Sequence, residues 1–171
     1  MRPLLIQRVD AGARVSAPLV LTLIITIINV VPLRLPAYSA IAPDLVLMAV
    51  FYWTVHRPDL LRPWGAFLVG ILDDILTGTP LGVNALVLLL VHWMIINQHK
   101  SFRGLSFGPL WGGFAIMAFG AKVILVVLAL ALSRGLIDPM VLLAQLAFTV
   151  ALYPLIAMLM GRAQRAFLQA I

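Results

Sequence analysis

An all-α protein that crosses a membrane several times is the fold class this sequence predicts, and three observations predict it. Of its 171 residues, 63% are hydrophobic and 11% charged, with a mean hydropathy of +1.10, whereas soluble domains carry about 25% charged residues. The apolar residues fall into six runs, each near the roughly 20 residues a helix needs to cross a bilayer. The basic residues between those runs gather in alternate loops. Six spans use about 120 positions and leave no room for a separate soluble catalytic domain.

The first run covers 15–33: the 19 uncharged residues Val15 to Leu33 follow Arg2, Arg8 and Arg14. It is longer than the roughly 7–15-residue apolar core of a signal peptide, so it is expected to remain as a span. The second, 36–55, is interrupted by Pro43 and Asp44 and ends at His56, Arg57, Pro58 and Asp59. The third, 63–78, opens on Pro63, suited to a first helical turn where its missing N–H costs nothing. It carries Asp73 and Asp74 and stops at Thr77, Gly78, Thr79, Pro80. The fourth, 81–97, ends before His99, Lys100 and Arg103, the fifth, 109–132, contains Lys122, and the sixth, 139–160, is followed by Arg162 and Arg165. The third and fourth also suit a re-entrant hairpin, because the stretch before Asp73 is short. The tail from Arg162 to Ile171 alternates polar and apolar residues, as a short helix on the inner surface does; a frayed helical end fits equally.

Counting basic residues by alternate loops puts nine on one side (Arg2, Arg8, Arg14, Arg57, Arg62, Lys100, Arg103, Arg162 and Arg165) and two, Arg34 and Arg134, on the other. Cytoplasmic loops collect Lys and Arg, so both termini are expected in the cytoplasm. The formal charge of +6 therefore reports topology, and no nucleic-acid partner is expected. With no cysteine and no glutamate, and with His56, His92 and His99 near one leaflet, neither a metal site nor another cofactor site is expected. The five serines have no nearby His and Asp set, and the neighbouring Asp73 and Asp74 do not suit an aspartyl protease, whose two acids come from different helices. No catalytic residue is expected.

Ionisable residues at membrane depth are costly and face protein or water. At 1.5 Å per residue, Asp73 lies roughly 15 Å inside from Pro63, Asp44 about 18 Å from His56, and Lys122 about 22 Å from Phe107. The three are within reach of one another, so Lys122 is expected to pair with Asp44 or with one of Asp73 and Asp74. Adjacent aspartates on a helix diverge by about 100° and so serve different neighbours. The cluster suits a proton, ion or head-group site, or a polar clasp between helices of the kind common in membranes. Two helix-packing signals accompany it. Thr22, Thr26 and Asn29 form a polar stripe on span one, matched by Gln145 and Thr149 on span six. Gly108, Gly112, Gly113 and Gly120 place small residues along span five, which permits close helix approach. Both sets are candidate helix interfaces, within the bundle or with a partner.

From Pro43 to Leu86 the chain places a Pro-Asp in span two and a Tyr52-Trp53 pair before an Arg-Pro loop. The pattern G-x-x-x-D-x-x-x-G-x-P-L-G-x-N-A-L follows, on Gly70, Asp74, Gly78, Pro80, Leu81, Gly82, Asn84, Ala85 and Leu86. This stretch resembles the bacterial rod shape-determining MreD family. Asn84 stands where many members carry a histidine, and Asp73 is an addition beside the usual acid. The resemblance implies a non-enzymatic, multi-pass protein of the bacterial inner membrane that supports lateral peptidoglycan synthesis. It implies direct binding to MreC, and a shared complex with MreB, RodA and a penicillin-binding transpeptidase, among membrane lipid. It also implies a compact six-helix bundle similar to the substrate-binding subunit of energy-coupling-factor transporters. That likeness supplies an alternative function as an uptake subunit, for which Ala13 and Ala17 have the Ala-x-x-x-Ala spacing of a coupling face.

Overall fold

A computed structural model describes residues 19–29, 42–98, 106–132 and 138–169. Arg2, Arg8, Ala13, Arg14, Ala17, Arg34, Lys100, Arg103 and Arg134 lie outside the described residues. The described residues form six helices and no strand: α1 (Leu19–Asn29), α2 (Leu45–His56), α3 (Pro63–Thr77), α4 (Val83–Asn97), α5 (Phe107–Ala131) and α6 (Pro139–Gln169). Of these, α5 and α6 are long and apolar enough to cross a membrane, while α1, α2 and α4 are shorter apolar helices.

Helix α2 is the centre of the bundle. Every residue from Val46 to Thr54 is buried, as expected of a helix that is apolar all round, and it packs against α3, α4 and α6. Phe51 of α2, Phe114 of α5 and Tyr153 of α6 form one aromatic cluster. Phe114 and Tyr153 stack at 4.1 Å, and Phe51 meets them edge-on at 5.1 and 5.7 Å. Outward positions are apolar as well, including Trp64, Trp93, Ile116, Phe119 and Met140. An apolar rim around an apolar core is what lipid as solvent requires.

Two expectations need correction. The span expected over 36–55, interrupted at Pro43 and Asp44, is helical among the described residues only from Leu45, the partly buried backbone of Ala42–Asp44 being non-helical. Pro43 disfavours the helical region for the residue before it, and Asp44 caps the new start by accepting from the Leu47 N–H at 3.0 Å. The twelve residues of α2 rise only about 18 Å. The sixth helix does not stop at Met160 but continues to Gln169, so the tail is neither a separate surface helix nor frayed from Arg162. Tyr52 holds it there by donating to Gln164 Oε1 at 2.9 Å. The loop after α2 also reaches into the core: Leu61 is fully buried, and its carbonyl is bound by His92 Nε2 at 2.8 Å.

Pro154 sits inside α6 and has no N–H for the carbonyl four residues earlier. That carbonyl belongs to Val150, and Trp111 of α5 donates its indole N–H to it at 2.8 Å. A neighbouring helix thus satisfies the backbone group that proline frees, which is how membrane helices tolerate proline.

Candidate functional site

The motif residues build a helical hairpin. Gly78, with φ +71°, ends α3 in the left-handed conformation, and Gly82, with φ +99°, precedes α4; both are backbone states that glycine reaches without strain. Pro80 shapes the turn, its carbonyl accepting from Val83 N–H at 3.2 Å, and Leu81 stands exposed at the tip. A glycine at the N-cap of α4 brings no side chain to the free N–H groups of the first turn. Asp74, reaching over from α3, supplies it. Its Oδ1 accepts from Thr79 Oγ1 at 2.6 Å and from the Asn84 N–H at 3.0 Å; its Oδ2 accepts from the Gly82 N–H at 2.8 Å and the Ala85 N–H at 3.4 Å. The carboxylate is completely buried and sits on the positive end of the α4 dipole, where negative charge is favoured. One helix therefore caps the next. Gly70, one turn earlier, lies against the Ala85 backbone so closely that a Cβ there would overlap Ala85 Cα and come within 2.7 Å of its nitrogen.

Asp73 points elsewhere, as the divergence of adjacent positions requires. Its Oδ2 accepts from Asn84 Nδ2 at 2.9 Å, and its backbone carbonyl accepts from Thr77 Oγ1 at 2.6 Å. Asp73 and Asn84, the two positions at which the resemblance implies a departure from the usual motif, are thus partners. Across from them Lys122 of α5 donates to Asp44 Oδ2 at 3.1 Å, with 10% of the lysine and 27% of the aspartate side chain exposed. Asp44, Asp73, Asn84 and Lys122 line one small, partly open cavity of about 20 Å³, together with Val46, Leu47, Val87, Leu88, Ala121 and Leu125.

The segment before α2 is tied down from α6. The Asp44 N–H donates to Thr149 Oγ1 at 3.0 Å, Thr149 donates to the Gln145 carbonyl at 2.7 Å, and Gln145 Nε2 donates to the Ala42 carbonyl at 3.0 Å. Backbone outside a helix is tolerated at membrane depth only where protein satisfies it, and this polar stripe does so. The sequence showed the stripe but not its target, since a carbonyl carries no residue-type signal. The Trp111–Val150 bond was missed altogether; its only signal was a proline inside a span with a tryptophan on the neighbouring one.

Removing one member of the Lys122–Asp44 pair leaves the other charge uncompensated. Lys122→Met is expected to cost about 2 kcal/mol, less than a fully buried pair, because Asp44 keeps some exposure. Adding Asp44→Asn, which keeps a capping side chain for α2, is expected to restore part of the loss. Thermal unfolding of the purified single and double variants in mild detergent measures both, and a double variant less stable than Lys122→Met denies the pairing.

The other candidates divide by exposure. Thr22 and Thr26 are fully buried, with Thr26 Oγ1 bonded to the Thr22 carbonyl at 2.9 Å, which removes both from the set open to a partner; Asn29 is half-buried. The outward face of α1 is instead Val20, Ile24, Ile27 and Ile28. Gly108 and Gly112 are exposed and Gly113 and Gly120 half-buried on α5, and Gly108, Gly112 and Gly120 have open space where a Cβ would stand. Gly108, Gly112 and Gly120 therefore mediate no close packing among the described residues.

These features define a class: a helical membrane protein whose buried charges join helix ends to one another. The chain belongs to the rod shape-determining protein MreD family, whose profile matches residues 12–163. The rod shape-determining protein MreD of Haemophilus influenzae strain Rd is 29% identical over 69 residues, which is 40% of this chain and 43% of that protein. The chain thus spans less than half the length of that relative in the match. No solved structure matches the chain, so the likeness to transporter subunits remains an expectation of the resemblance.

Proposed function

We propose that the chain is a non-enzymatic scaffold of the bacterial cell-wall elongation machinery. In this reading it lies in the inner membrane as a six-span bundle with both termini in the cytoplasm. It binds MreC directly and shares a complex with MreB, RodA and a penicillin-binding transpeptidase, supporting rod shape and lateral peptidoglycan synthesis. The observation that carries the reading is the family match over residues 12–163. The geometry supports it: Asp74 and the Asp44–Lys122 pair are spent on joining helices, as a rigid adaptor requires. The surface offered to a partner helix is the outer face of α5, where the open positions Gly108 and Gly112 continue into exposed Ile116, Phe119 and Val123.

The alternative, an energy-coupling-factor uptake subunit, calls for a pocket lined with polar groups. Beside the α3–α4 turn a space of about 230 Å³ is lined by Gly78, Thr79, Pro80, Val83, Leu125, Ala129 and Leu132, with Thr79 its one polar side chain among the described residues. Purification of the tagged protein from its native membrane in mild detergent, with mass spectrometry of what stays bound, separates the two. A single-span coiled-coil protein recovered with wall synthases is the expected result. A pair of ATPases with a second membrane subunit overturns the scaffold reading.

A further inference from the structure

The cavity between α3, α4, α5 and the start of α2 holds a charge that the hairpin does not use. Four charged groups belong to it or flank it. Asp44 and Lys122 are paired, and Asp74 is turned away onto the start of α4. Asp73 is left with one neutral partner: Oδ2 has the Asn84 amide, while Oδ1 is buried and has no hydrogen-bond partner. The residue is more than nine-tenths buried, and the cavity it lines, about 20 Å³, exceeds the roughly 10–15 Å³ that one water needs. A carboxylate with a bare oxygen in such a place is strongly disfavoured, and a single small positive charge removes the problem. A metal ion is poorly served. Hard cations take six or more oxygen ligands, no three His or Asp side chains among the described residues stand close enough to hold one, and the Lys122 ammonium already occupies one wall.

We propose that this cavity is a proton-binding site: Asp73 is held as the neutral acid, its proton on the otherwise unpartnered Oδ1, at the wall of the water-sized space shared with Asp44 and Lys122. Release of that proton to water leaves a second carboxylate facing Lys122. The ammonium then has two alternative partners, one at the start of α2 and one on the hairpin. Proton loss therefore pulls Lys122 toward α3 and loosens its hold on Asp44. This inference does not depend on which partner proteins the chain binds.

Infrared difference spectroscopy of the full-length protein in lipid nanodiscs, titrated with pH, tests it through the C=O stretch of a protonated carboxylic acid. The expected result is a band present at neutral pH that shifts in heavy water, bleaches as pH rises, and is lost in Asp73→Asn. It survives in Asp59→Asn, whose side chain is on the exposed loop. Two further variants keep the test decisive if Asp73→Asn fails to fold. Lys122→Met removes a positive neighbour and moves the bleaching midpoint to higher pH; Asp44→Asn removes a negative neighbour, frees the ammonium, and moves it to lower pH. Absence of the band at neutral pH, its survival in folded Asp73→Asn, or a midpoint unmoved by both neighbours overturns the proposal. So does loss of the band when sodium chloride replaces choline chloride, which would make the ligand a metal cation.

Discussion

Asp74→Ala is expected to unfasten the α3–α4 hairpin. The substitution takes a fully buried carboxylate away from the half-buried N–H groups of Gly82 and Asn84 and the hydroxyl of Thr79. At about 1–3 kcal/mol for each donor left unmade, partly relieved by relaxation, the loss is about 3–5 kcal/mol, a large share of the roughly 5–15 kcal/mol that holds a typical domain folded. Asp74→Asn retains one acceptor oxygen but presents an NH₂ group where the other stood, so about half of the loss is expected. The thermal midpoint in mild detergent and the steady-state level in the native membrane should fall together and in the order Ala below Asn below wild type. An unchanged midpoint in Asp74→Ala would mean that the first turn of α4 finds its acceptors elsewhere.

The second large effect is expected from one added methyl group. At most exposed helical positions glycine to alanine is stabilising by up to about 1 kcal/mol, and Gly112→Ala, with open space around it, should follow that rule in the isolated protein. Gly70→Ala should do the reverse, because the new Cβ overlaps the Ala85 backbone rather than a side chain that can swing away. Forcing α3 and α4 apart also stretches the bonds Asp74 makes one turn later. A cost of about 2–3 kcal/mol is expected, and more for Gly70→Val. Opposite signs for the same chemical change at two glycines, read as shifts of the thermal midpoint, constitute the check.

Much of this arrangement was legible because charge and glycine are expensive inside a membrane. Asp44, Asp73, Asp74 and Lys122 stood out for that reason, and counting helical rise placed Asp44, Asp73 and Lys122 at reachable depths. The divergence of Asp73 and Asp74 followed from helix geometry and is what the structure shows, one turned to a side chain and the other to a backbone. Other features were illegible for equally physical reasons. The break at Pro43 and Asp44 could be read, but its anchoring by Gln145 and Thr149 of α6 could not, because hydrogen bonds from a distant helix leave no mark on hydropathy. The capping role of Asp74 is carried by N–H groups that every residue but proline possesses. The fate of the Val150 carbonyl depends on which tryptophan happens to face it, a fact of packing rather than of pattern. Thr22 and Thr26 were visible as a polar stripe, but periodicity alone does not say whether such a stripe looks inward or toward another protein.

The tether that holds the start of α2 also sets an order of events during synthesis. Ala42 and Asp44 are bound by side chains that lie 103 and 105 residues further along the chain. At roughly 5–20 residues per second, translation supplies those partners about 5–20 s after the segment itself has been made. During that interval the second helix has neither its anchor nor its aromatic neighbour Tyr153, and Phe114 joins it only part-way through. The nascent protein therefore waits with its central element provisional, and α6, made long after the segment it secures, is the helix that makes that element permanent.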